Sequence, residues 1–158
     1  MSHSDSICER LRLLGLVLPP AVAPVANFVA VTLHGGTAHV SGQIPVSDGA
    51  FLNPGLLGRE VTIEQGQAAA RLAALNVLSQ LSSALGARLD RVERVLRLGV
   101  FVASTADFKD HPKVANGASD LIVQVFGERG AHARAAVGVA SLPFGVSVEV
   151  DGIFAVGD

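Results

Sequence analysis

The 158-residue sequence predicts an α+β domain, because two segments with helical period and their own start and stop signals alternate with five β-rich runs in the order ββαβαββ, without internal repeats. A second observation concerns surface. Hydrophobic residues make up 49% and charged residues 16%, too little charge to coat a lone globule of this size, so apolar surface is expected to be buried between subunits. The length suits one folding unit with a core that needs neither disulfide nor metal.

Taken in order, Ser6 and Glu9 are spaced as a capping box for a short opening helix that Gly15 should stop. Pro19-Pro20 cannot continue it, so a connector follows to about Val25. Phe28 to Leu33 and Thr37 to Ile44 read as strands joined through His34-Gly35-Gly36. Pro45 to Gly58, with two prolines and three glycines, reads as an exposed loop. The clearest helix spans Thr62 to Leu85, boxed by Thr62 and Gln65 and stopped by Gly86; Leu75, Leu78, Leu81 and Leu85 should face a sheet. Val92 to Val102 reads as an interior strand. Pro112 fits the first turn of a helix running to Phe126, ended by Gly127 and Gly130. Arg134 to Ala140 and Gly145 to Val156 read as a closing hairpin across Ser141 to Phe144.

Composition also excludes functions. A net charge of −2 and the absence of Trp and Tyr give no basic, aromatic surface, so no nucleic-acid partner is expected. No 18-residue apolar run survives the prolines and glycines between Leu13 and Gly58, so no membrane span is expected. Met1-Ser2-His3-Ser4-Asp5 lacks the basic opening of a secretion signal, which leaves the cytoplasm as the default location. Cys8 is the single cysteine, and no Cys/His cluster suggests zinc.

In the closing hairpin, Arg134, Ala136 and Gly138 alternate onto one face, and Glu149 lies on the polar side of its own strand. If Ala140 pairs with Gly145, Arg134 falls opposite Asp151 and shares a face with Glu149; a one-residue slip separates them. Such a pair is more often a solvated ion pair than a catalytic one, but Ala136 and Gly138 leave an open floor over which Arg134 can fork a carboxylate. His34, His39, His111 and His132 read as surface or turn residues without an adjacent nucleophile. No hydrolase elbow is present, and Asn116-Gly117 reads as a capping or packing pair.

Three stretches resemble the RidA/YjgF family, also labelled L-PSP endoribonucleases: Asn27-Phe28 with Val40-Ser41-Gly42-Gln43-Ile44-Pro45, Val114-Ala115-Asn116, and Arg134 through Leu142-Pro143 to Val148-Glu149-Val150. The likeness divides the chain into residues 1–26, an N-terminal helix and connector resembling a longer branch, and residues 27–158, a RidA/YjgF-like domain. It implies a chorismate-mutase-like fold, a mixed sheet with two main helices on one face, assembled as a homotrimeric barrel with clefts between subunits. It also implies hydrolysis of reactive enamines and imines, such as 2-aminoacrylate, to a 2-keto acid and ammonia, with no cofactor. By resemblance, Arg134 holds the carboxylate of a small metabolite, Glu149 handles water, and Phe28, Gly42, Asn116 and Ala136 line the pocket. Two positions depart from the family: Phe28 stands for a tyrosine and Ala136 for a cysteine. A carboxylate-binding regulator without catalysis is the second reading, and an endoribonuclease the third.

Overall fold

The computed structural model describes residues 6–158, so the reading of Met1-Ser2-His3-Ser4-Asp5 lies outside the described residues. Helix α1, Ile7–Leu13, starts where the Ser6 hydroxyl accepts from the Glu9 amide at 3.1 Å. The Glu9 carboxylate turns instead to Arg12, one turn on, at 2.6 Å. The paired bonds Leu16 N–H to Leu11 O and Gly15 N–H to Arg12 O then stop the helix at the predicted glycine. Ile7 and Leu11 are buried, and the Ile7 amide donates to Asp90 at 2.8 Å, so the extension is built into the core.

Strands β1, Val31–His34, and β2, Thr37–Gln43, form the expected hairpin; Gly35 and Gly36 both take positive φ, the requirement of the tight turn that matches strand twist. The segment read as an open loop contains a second small hairpin, β3, Val46–Ser47, with β4, Ala50–Phe51, turning at Asp48-Gly49. Asp-Gly between two short β-prone stretches is itself a hairpin signal. Helix α2, Ile63–Ala84, carries both halves of the Thr62–Gln65 capping box. Its Ala69, Ala73, Val77, Leu78 and Leu81 are fully buried, whereas Leu75 sits at the flank. Asn76 and Gln80 are buried too, and their amides donate to backbone carbonyls of Ile44, Val46 and Val22, which satisfies polar groups that would otherwise be costly to bury.

Strand β5, Val92–Ala103, helix α3, His111–Phe126, and strand β6, Ala133–Val139, form a parallel crossover, and β7, Val148–Val156, closes the chain. The sheet order is β1-β2-β7-β5-β6, mixed, with α2 and α3 on one face. The expected β6–β7 hairpin does not form. Parallel neighbours need a long crossover, and α3 supplies it, so β6 lands at the edge beside β5 while β7 returns between β5 and β2. Burial explains the choice: β7 presents Val148, Val150 and Phe154 to the helices, each fully buried, whereas β6 is Ala- and Gly-rich and gains little from a central place. The loop between them crosses the end of β5, where Ala103 N–H donates to Ser147 O and Ser104 N–H to Val139 O.

Candidate functional site

The strand order decides how the predicted site residues meet. Arg134 pairs with Leu98 and Glu149 with Phe101, so two strand spacings and three residues of β5 separate them, roughly 14 Å between Cα atoms from sheet geometry. They also occupy opposite faces. Leu98, Val100 and Val102 point to the helices, which places Arg134, Ala136 and Gly138 on the helix side and Glu149, Asp151 and Phe101 on the open side. Asp151 pairs with Arg97 at 3.6 Å rather than facing Arg134. The expected single-face pair is thus overturned, and two half-sites stand in its place.

The first half-site holds Glu149, Gly42 and Phe28 in one cavity of about 340 Å³. Gly42 reaches the open face because of a bulge: the three steps along β2 from Val40 to Gln43 match two along β7 from Gly152 to Val150. A Cβ at position 42 would meet the Glu149 carboxylate, so a larger residue there would have to displace that side chain from its place over the strand. Burial disfavours the charged form of Glu149, and the neighbouring Asp151 charge adds to it, so its pKa lies above the ordinary 4.5. Phe28 is 51% exposed at the mouth.

The second half-site is built around Arg134. Its Nη1 donates to Asn116 Oδ1 at 2.9 Å and to Ser119 Oγ at 3.1 Å, and its Nη2 lies 3.4 Å from Pro112 O. Nη1 thereby spends both protons, leaving the Nε–Nη2 edge to fork an incoming carboxylate. Behind it, His132 Nδ1 lies 2.6 Å from Gly130 O, and a carbonyl only accepts, so Nδ1 is assigned the proton. In the neutral ring Nε2 then accepts from Ser119 O–H at 2.9 Å, which leaves the Ser119 lone pairs to Arg134. Ser119 and His132 are functional candidates that sequence reasoning missed. Ser119, three residues after Asn116 and so on the same helix face, was the available signal. Asn116 faces Arg134, while Gly117 is the packing half of its pair: a Cβ there would collide with the Gln67 backbone, where α3 crosses α2. Ala136 lies next to the core on the Arg134 side.

His111 is not isolated either. Its Nε2 lies 3.2 Å from Ser104 Oγ, and both flank Gly138 in a separate cavity of about 500 Å³. No acidic side chain lines that cavity, so a nucleophile triad is not assembled there. Among the described residues no group of three or more His, Cys, Asp or Glu gathers as a metal site, and no helix is long and apolar enough to cross a membrane.

Comparison with known proteins agrees with this architecture. Residues 8–155 match the family model described as "YjgF/chorismate mutase-like, putative endoribonuclease". The chain is similar to the protein TCP17 of Trypanosoma cruzi, at 52% identity over 95% of this chain and 94% of that one. It is also similar to the crystal structure of a protein of unknown function from Agrobacterium tumefaciens, at 47% identity, TM-score 0.90, and coverage of 98% and 94% of the two chains. A more distant likeness, 25% identical with TM-score 0.57 and coverage of 89% and 94%, is to Escherichia coli TdcF, whose crystal structure holds bound serine.

Proposed function

Because this chain belongs to the RidA/YjgF family, we propose that it is a hydrolytic deaminase of enamine and imine intermediates that bear a carboxylate, acting at clefts between subunits of a homotrimer. One observation carries the reading: the residues expected to hold the carboxylate and those expected to handle water form two separate half-sites on opposite sheet faces of one chain. A second copy that places its Arg134 half against the Glu149 half completes one site without moving either strand. The same packing covers exposed apolar side chains such as Val29 and Leu33. The amino-acid ligand of TdcF supports a small carboxylate-bearing substrate class.

In this site Arg134 takes the substrate carboxylate on its free edge and fixes the imine carbon beside Glu149. Glu149, with its raised pKa, removes a proton from water as the oxygen bonds to the imine carbon, and the C=N electron pair moves to nitrogen. Glu149 returns the proton to that nitrogen. Glu149 then carries the carbinolamine's hydroxyl proton to the amino nitrogen, and as the C–N bond breaks the oxygen's electron pair forms the C=O bond, releasing ammonia and a 2-keto acid. Water and imine are the only reactants, so the balance needs no oxidant.

The test couples a threonine or serine dehydratase, which releases the imine in situ, to ammonia and keto-acid detection with and without this protein. Faster release is expected, and unchanged rates remove the deaminase reading for that substrate. Sedimentation at micromolar concentration should give a trimer; a monomer sinks the shared-cleft model. The absent Phe28 hydroxyl favours a second reading, a carboxylate-binding regulator that binds without turnover, and calorimetry alongside the rate assay separates the two. An endoribonuclease, the activity in the family description, is opposed by the net charge of −2 and the lack of Tyr and Trp.

A further inference from the structure

We propose that the N-terminal connector, residues 22–25, forms with Phe28 and Phe144 the side-chain pocket of this site, selecting 2-imino acids with a large apolar side chain over the methyl-bearing imine. This rests on the deaminase site described above and names its substrate class.

The cavity over Glu149 is lined by Val22, Pro24 and Val25 of the connector together with Phe28 and Phe144. Among its lining side chains only Glu149 and Gln43 are polar, and Gln43 Oε1 is turned toward Gln80 at 3.5 Å. A charged or hydrogen-bonding substituent would therefore lose water there without gaining a partner. Size points the same way: a methyl group, with the ~30 Å³ of one water, touches few of the walls of a cavity of about 340 Å³ that also takes the reacting atoms, whereas a branched or aromatic side chain covers them. Val22, Val25, Phe28 and Phe144 are all exposed in the single chain, so their apolar surface is available for a ligand to bury.

The wall is held in place. Gln80, itself buried, donates to Val22 O at 2.6 Å; further back, Leu16 and Leu18 pack on the core and α1 is anchored through Ile7. The extension thus places a fixed apolar surface beside the catalytic carboxylate, and the missing hydroxyl at Phe28 suits that surface.

The experiment titrates the protein calorimetrically with stable 2-oxo acids: pyruvate, 2-oxobutanoate, 4-methyl-2-oxopentanoate and phenylpyruvate. Each added CH₂ that is buried should tighten Kd about fourfold, giving at least a tenfold gain from pyruvate to 4-methyl-2-oxopentanoate. The double variant Val22→Ser/Val25→Ser should compress the phenylpyruvate-to-pyruvate ratio by about tenfold or more. A flat series whose binding still requires Arg134, or tightest binding of pyruvate, overturns the selective pocket alone and leaves the carboxylate site standing. A graded series that the double variant leaves intact removes the connector from the proposal. If no 2-oxo acid binds, both this inference and the site reading fall.

Discussion

Replacing Ser119 by alanine removes the hydroxyl that joins His132 to Arg134 and so tests whether that relay aims the guanidinium. Two hydrogen bonds disappear, the charge-assisted one from Arg134 Nη1 at 3.1 Å and the neutral one to His132 Nε2 at 2.9 Å. Taken singly these contribute about 1.5–3 and about 0.5–1.5 kcal/mol, but the sum overstates the loss. Arg134 keeps Asn116 Oδ1, His132 keeps Gly130 O, and the site is only partly buried, so water replaces part of what is removed. We expect about 1–2 kcal/mol of lost stability and a similar penalty on carboxylate binding, because the free guanidinium rotates away from its forking edge. A penalty of that size weakens Kd about tenfold. The assay is a calorimetric titration with pyruvate beside steady-state kinetics, where KM should rise about tenfold with kcat changing far less. Ser119→Thr, which restores a hydroxyl, should recover most of the affinity. Wild-type Kd and KM in Ser119→Ala would refute the relay, and equal losses in Ser119→Ala and Ser119→Thr would reduce it to packing.

Gly117→Ala should destabilise by about 1–3 kcal/mol from overpacking against the Gln67 backbone, offset by about 1 kcal/mol of helix propensity; a urea midpoint at or above wild type would mean the α2–α3 crossing has slack. Glu149 keeps its proton in the folded state to a higher pH than its ordinary 4.5, so it subtracts stability as pH rises through that window and onward. Glu149→Gln should therefore melt higher than wild type at pH 7, with the gap closing near pH 4, and a gap that widens on acidification would contradict the burial argument. Phe28→Tyr should raise imine turnover by about 2- to 10-fold if the missing hydroxyl limits catalysis, since a hydrogen bond to substrate or water at the half-exposed mouth is worth about 0.5–1.5 kcal/mol; an unchanged rate would show that Phe28 acts through its ring alone.

Local chemistry made much of this protein legible in the chain itself. The Ser6 and Thr62 caps, the stops at Gly15 and Gly86, and the Gly35-Gly36 turn depend on hydrogen bonds within about five residues, so their patterns survive without knowledge of the rest of the fold. Strand alternation likewise sorted Arg134 with Gly138, and Glu149 with Asp151, onto common faces. Which face of one strand matches which face of another was beyond that reach, because it depends on pairing partners far apart in sequence. A short link between Val139 and Val148 looks like a hairpin turn, yet the α3 crossover and the stronger apolar face of β7 put β5 between the two strands. Only that tertiary competition for burial separates Arg134 from Glu149 and gathers Ser119 and His132 behind the arginine.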